Sequence, residues 1–260
     1  MDSLNYLIEE LLAEQPQNKS IKIPLDLLEK PKLLRYLLNL RPPLPISESF
    51  LKVQDEELKK QCFNKGIVFE AQIPAIDFYP RIKLWQGDIT RLAVDAIVNA
   101  ANSQMLGCFH PLHGCIDNAI HSAAGIQLRL ECHELMKQQG FEEPTGHAKI
   151  TKGYNLPAKH VIHTVGPIIY SEKPSAFEEN QLAGCYNSCL QLADHHQLKS
   201  IAFCCISTGE FRFPNQRAAE IALHTVLNYF EENKTTSIDT VVFNVFKDLD
   251  FSIYKTLLKS

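Results

Sequence analysis

Leu4, Leu7, Ile8, Leu11 and Leu12 fall at the i, i+3, i+4 spacing of an amphipathic helix within "SLNYLIEELLAEQ". "DLLEKPKLLRYLLNL" repeats that period and predicts a second helix, with Pro31 near a break. "RPPLPISESF" carries prolines without a helical period and predicts a connector. "QDEELKKQC" predicts a third, short helix with a charged face. Helices alone up to about residue 75 predict a small helical extension, residues 1–75, ahead of a larger domain, residues 76–260.

From about residue 80 the pattern changes. Apolar runs recur as "RIKLW", "DAIVNA", "HAKITKG", "HVIHTV", "SIAFCCIS" and "TVVFNVF". Between several of them lie helical patterns: "CIDNAIHSAAGIQLRLECHELMKQ", "FEENQLAGCYNSCLQLADHH", "NQRAAEIALHTVLNYFEEN" and a closing "DFSIYKTLLK". Alternating strands and helices predict a three-layer α/β/α domain. The later strands are almost continuously apolar, as they must be when helices cover both faces of a sheet.

Composition changes this picture little. The chain has 260 residues and 45% apolar residues, enough for a packed core. A net charge of −4 gives no general attraction to nucleic acid or to an anionic membrane. The eight cysteines are scattered, and adjacent Cys204 and Cys205 read as small core residues rather than a bridge. The opening lacks the basic stretch of a secretory signal, and no apolar run is long enough to span a bilayer. Together these predict a reducing, cytoplasmic setting, where clustered cysteine and histidine point to metal binding.

In open α/β sheets ligands gather at the carboxyl ends of strands. "WQGDIT", "NAANSQMLGC", "ISTGEFRFP" and "VFKDLD" all stand there. Ser-Thr-Gly after an apolar strand can present backbone N–H groups to an anion, or can be an ordinary strand-to-helix loop. Asp88 can accept from an exocyclic amine or cap a turn. Asn99 and Asn102 can contact a ligand or form turns. Cys108, His113 and Cys115, spaced C-x4-H-x-C with His110 as a spare, are natural zinc ligands. Three ligands without paired C-x2-C units leave a fourth position open, as in catalytic centres. Asp117 is either a carboxylate satisfied by a helix N-terminus or one held beside that metal. His163, set among apolar residues, reads as a core histidine.

The segments "GDIT", "VDAIVNAAN", "IDNAIHSAAG", "TGHAKITKGYNLPAKHVIHTVGP" and "ISTGEFRFP", in this order, resemble the macrodomain family over roughly residues 80 to 259. The resemblance implies a mixed, mostly parallel sheet and a pocket for ADP-ribose. It is nearest to the ADP-ribosyl-hydrolysing branch, which implies catalytic roles for Asn102 and Asp117. In place of that branch's glycine run stands "GCFHPLHGC", which is similar to the zinc-dependent microbial subgroup. That subgroup also carries a helical N-terminal extension.

The resemblance therefore implies Zn2+ on Cys108, His113 and Cys115 beside the ribose. It implies that Asp88 and Ile89 meet the adenine and that Phe246 lies against it. Ser207, Thr208, Gly209 and Glu210 would surround the diphosphate, Phe211 would pack by the distal ribose, and Asn102 would bond to that ribose. The Glu210 carboxylate is expected to point to solvent, with Arg212 offsetting its charge. The implied function is zinc-dependent removal of mono-ADP-ribose from modified proteins. The implied partners are a lipoyl-carrier protein and the sirtuin-like ADP-ribosyltransferase that modifies it. The alternative is a non-catalytic ADP-ribose reader with a structural zinc.

Overall fold

The computed structural model describes residues 3–14, 20–26 and 28–259. Among them the extension forms α1 (Ser3–Glu14), α2 (Lys30–Leu40) and α3 (Glu48–Lys65). Pro31 stands in the first turn of α2, where a missing N–H leaves no bond unmade. It therefore starts the helix rather than breaking it, and Leu28 and Glu29 just before the helix form a turn. All of "QDEELKKQC" falls inside α3, which is longer at both ends than that charged stretch. The Ser47 side chain caps α3 by accepting from Phe50 N, so the end of the proline connector belongs to the helix.

The region before residue 75 is not purely helical. Val68–Phe69 (β1) pairs in parallel with Leu92–Ala93 (β4), and Ala75–Ile76 (β2) joins the main sheet. Such two-residue strands are too short to show a period.

The remaining strands are β3 (Tyr79–Gln86), β5 (Ala96–Ala101), β6 (Ala148–Lys152), β7 (His160–Val165), β8 (Ser200–Phe203) and β9 (Thr240–Val245). The seven-stranded sheet has the order β2-β3-β9-β8-β5-β7-β6. β3, β9, β8, β5 and β7 run parallel, and only β2 and β6 are antiparallel. The sheet is thus mixed and mostly parallel, as expected. Five carboxyl ends consequently share one edge. Along it the loops after β3, β9, β8 and β5 stand in that spatial order.

The helices are α4 (Ile116–Ala124), α5 (Ile126–Gln139), α6 (Ala176–His195), α7 (Asn215–Glu232) and α8 (Asp248–Leu257). The single helical pattern from Cys115 onward is two helices. Gly125 between them has φ 96°, a left-handed conformation that side-chained residues rarely adopt, and the helix breaks there.

Glycine has no side chain with which to cap α5. Instead Gln54, wholly buried on α3, accepts from Ile126 N at 3.0 Å and donates to Gln127 Oε1 at 2.7 Å. An apolar cluster of Leu7, Ile8, Leu11, Leu34, Leu37, Leu38 and Phe50 closes on Ile126. The extension is thereby joined to α5 by both packing and capping. Replacing Gln54 with alanine strands the Ile126 N–H in a dry contact. Urea denaturation is expected to show a loss of about 1–3 kcal/mol, and a change well under that would place the cap elsewhere. Among the described residues no helix is long and apolar enough to cross a membrane.

Candidate metal centre and the loops around it

β5 ends in Ala101, and the next residues turn back on themselves. Asn102 Oδ1 accepts from Gln104 N and Met105 N, both at 3.1 Å, and its Nδ2 donates to Gly107 O at 3.2 Å. The Asn102 amide therefore builds the loop and keeps one N–H unused. Gly107 has φ 80°, and a Cβ there would lie 2.7 Å from the His121 ring. Only glycine fits this close approach. Met105 (φ 60°) and Leu112 (φ 56°) are left-handed as well, at a cost of about 1–2 kcal/mol each. Contacts from outside the loop must hold it in that shape.

The shape brings Cys108 Sγ, a His113 ring nitrogen and Cys115 Sγ within 4.8 Å of one another. Cys108 Sγ and His113 Nδ1 are 3.7 Å apart. Sulfur at 2.3 Å and nitrogen at 2.0–2.1 Å from a tetrahedral ion stand about 3.6 Å apart. The donor set, two thiols and an imidazole, suits zinc in softness and spacing. Burial raises the Cys115 thiol to about 12, opposed by the Asn118 N–H and reinforced by Cys108 and Asp117. His110, the spare, stacks edge-on to His113 and is not in the group.

Cys115 caps α4, whose first turn carries Asp117. Asp117 is buried, and its Oδ1 accepts from Asn99 Nδ2 at 2.8 Å. Burial pushes its carboxyl up to about 6, against the Asn99 hydrogen bond and the charge of Arg129. Asn99 is a fully buried strand residue, not a turn former. Its amide also donates to His163 Nδ1 at 3.1 Å, which leaves His163 Nε2 as the N–H facing Thr151 Oγ1 at 3.0 Å.

His121, Cys132 and His163 form a second close group of ligand types, entirely buried. The tautomer that Asn99 imposes removes the lone pair that a metal would need at His163 Nε2, so His163 is a hydrogen-bonded core residue, whereas neither ring nitrogen of His121 has a hydrogen-bond partner among the described residues. Burial lowers the His163 pKa to about 3, keeping it neutral.

The other expected residues line the same edge. Ser207 is buried with φ 64°, and its hydroxyl has no partner among the described residues. The Thr208 hydroxyl is turned inward onto Cys205 O at 3.0 Å. Gly209 and Glu210 are exposed, and Phe211 is half-buried. Glu210 does reach solvent, but its Oε1 also lies 3.7 Å from His113 Nε2, so the loop after β8 meets the loop after β5.

Asp88 caps the short 3-10 turn beginning at Ile89. Its Oδ1 accepts from Thr90 N and Thr90 Oγ1, while Oδ2 faces Lys65 Nζ at 3.4 Å. Burial works against its ionisation, but Thr90 and Lys65 outweigh it and hold the carboxyl below its usual range. Ile89 is buried, and Phe246, just past β9, is 76% exposed.

Three residues escaped the motif reading. Asn118 is fully buried behind the cysteine–histidine loop. Arg35 of α2 hydrogen-bonds it. Arg129 of α5 donates to Leu106 O at 2.7 Å and lies over the Phe109 ring. Asn118 stood inside a quoted motif, three residues beyond Cys115. Arg35 and Arg129 gave no local signal, being charged positions on amphipathic helices.

A family model described as Macro domain matches residues 98–222. A protein-ADP-ribose hydrolase of Staphylococcus aureus (strain MSSA476) is 49% identical over 256 residues, covering 97% of this chain and 93% of its own length. A "probable bifunctional ADP-ribose hydrolase/ADP-ribosyltransferase" of Fusarium oxysporum f. sp. cubense is 42% identical over 90% of this chain, which spans 42% of that longer protein. The solved Trypanosoma brucei macrodomain in complex with ADP-ribose is 32% identical, with a TM-score of 0.67, over 85% of this chain and 93% of that one. The sheet order, the loops at its carboxyl edge and an identity that runs through the extension place this chain in the macro domain family.

Proposed function

We propose that this protein is a zinc-dependent hydrolase that removes mono-ADP-ribose from modified proteins. The observation that carries the reading is the meeting of three zinc-type donors with a buried carboxylate at one helix N-terminus, at the carboxyl edge of the sheet. The similarity to the hydrolase of S. aureus, extension included, supports the same activity. Residues 1–75 are taken as the extension and 76–260 as the macrodomain, an assignment supported by the separate apolar cluster of α1, α2 and α3, although Ile73 packs into the main core.

In the proposed pose Asp88 and Ile89 face the adenine, and Phe246 covers it. The backbone of Ser207–Glu210 meets the diphosphate, with the Ser207 hydroxyl available as a further donor. Phe211 packs by the distal ribose, and Asn102 offers that ribose its unused N–H. Cys108, His113 and Cys115 hold the metal. Zinc bound there supplies Lewis-acid polarisation and lowers the pKa of nearby water.

Hydrolysis joins a water oxygen to the anomeric carbon while the bond to the protein side chain breaks. Asp117 takes one proton of that water and then passes it to the departing side chain, so Asp117 ends as it began and free ADP-ribose and the unmodified side chain are released. The asymmetric hydrogen bond from Asn99 engages Oδ1 and leaves Oδ2 for this proton. The substrate we propose is a lipoyl-carrier protein modified by a sirtuin-like transferase. The name of the F. oxysporum relative, which joins an ADP-ribose hydrolase with an ADP-ribosyltransferase, supports the pairing with a transferase.

Release of free ADP-ribose from mono-ADP-ribosylated protein is expected to stop on zinc chelation and return with added zinc. Tight ADP-ribose binding without release from carriers modified on acidic, serine or arginine side chains would identify a reader instead. Release that persists after chelation would leave the hydrolase without its metal dependence.

A further inference from the structure

The metal loop is not held by its own domain alone. Arg35 on α2 donates from Nε and Nη2 to Asn118 Oδ1, at 3.0 and 2.6 Å, and from Nη2 to His113 O at 3.0 Å. Asn118 Nδ2 in turn donates to His110 O at 3.0 Å and Cys108 O at 3.5 Å. The Asn118 backbone N–H faces Cys115 Sγ at 3.4 Å. The guanidinium–amide pair therefore touches Cys108 and His113, and the backbone of the same Asn118 meets Cys115. One turn along α2, Asn39 Oδ1 accepts from Leu112 N at 3.0 Å, within the same loop.

We propose that Arg35 of the helical extension is a positioning residue for the metal centre, acting through Asn118. The inference rests on the reading that Cys108, His113 and Cys115 bind zinc. Its physical basis is the polarity of the pair. A guanidinium only donates, so it fixes the amide with oxygen toward α2 and nitrogen toward the loop. With the amide so oriented, the loop carbonyls of Cys108 and His110 find donors, and His113 O is met by Arg35 itself.

The loop needs this support because Met105, Gly107 and Leu112 all sit in the left-handed region. Without Arg35 the amide oxygen keeps only the Ser122 hydroxyl at 3.3 Å, whose single proton is closer to Asn118 O at 2.6 Å. The amide can then turn, its oxygen meets carbonyl oxygens, and the loop relaxes away from the geometry that gathers the three donors. The extension thus supplies outer-shell support, and a macrodomain without such an extension would need another source for it. Loss of such partners costs metal sites about 10–100-fold in affinity.

The test is zinc affinity of the full chain by competition with a chromophoric chelator, alongside the melting temperature of zinc-free protein. Wild type is expected to bind one equivalent at this centre, and Arg35→Ala about 10–100-fold more weakly. Arg35→Lys keeps the positive charge but not the planar fork, and is also expected to bind several-fold more weakly. It takes over the test if Arg35→Ala does not fold.

A purely structural Arg35 would lower the melting temperature and leave the zinc affinity of the folded variant within about twofold, which would overturn the inference. Wild type that binds no zinc would instead overturn the reading beneath it. Wild type that binds zinc while both variants match it would overturn the Arg35 inference alone.

Discussion

Asp117→Ala is expected to slow release of ADP-ribose by about 10²–10⁴-fold while changing ADP-ribose affinity only a few-fold. The carboxylate is buried in the first turn of α4, beside the metal donors and tied through Oδ1 to Asn99. In the proposed pose it moves a proton and does not carry the nucleotide. Its loss therefore bears on the transition state more than on ground-state binding. Single-turnover release and a calorimetric Kd separate the two effects. A normal release rate would remove Asp117 from catalysis. A loss of rate matched by an equal loss of affinity would make it a binding residue.

Cys115→Ala is expected to abolish zinc retention through dialysis and to take the activity with it. A lost outer partner already costs about 10–100-fold in metal affinity, and a lost ligand exceeds that. The side chain has a second duty, because Cys115 Sγ caps α4 by accepting from Asn118 N. Cys115→Ser is the matching control, since serine is a good cap and a poor zinc ligand. The serine variant is expected to keep the helix and still lose the metal. Full zinc occupancy in either variant would show that the ligand set is different.

Much of the architecture was legible along the chain because strands and helices differ in period. β3, β5, β7 and β9, and α6 and α7, lie within a residue or two of the stretches that predicted them. The misreadings cluster where local period carries no information. β1 and β2 are too short to have one, and the start of α3 is set by the Ser47 cap rather than by its charged face. The pattern from Cys115 onward looked continuous because buried apolar residues stand on both sides of Gly125, Ile120 and Ala124 before it and Ile126 and Leu128 after it. The break comes from Gly125, whose cost inside a helix is small enough for a sequence pattern to overlook.

At the site, the donor types are legible along the chain: two thiols and an imidazole in eight residues, a carboxylate just beyond, and loops after apolar strands. Donor types are properties of residues, and their order along the chain survives folding. Which groups meet is a property of the fold. Asn99 reaches Asp117 because β5 lies beside α4, and Glu210 faces His113 because β8 and β5 end on the same edge. His163 is withheld from metal binding by the tautomer that Asn99 imposes. Arg35, far away in sequence, orients Asn118 behind the loop. Each of these depends on hydrogen-bond direction between segments remote in the chain, and neither periodicity nor motif spacing encodes such direction.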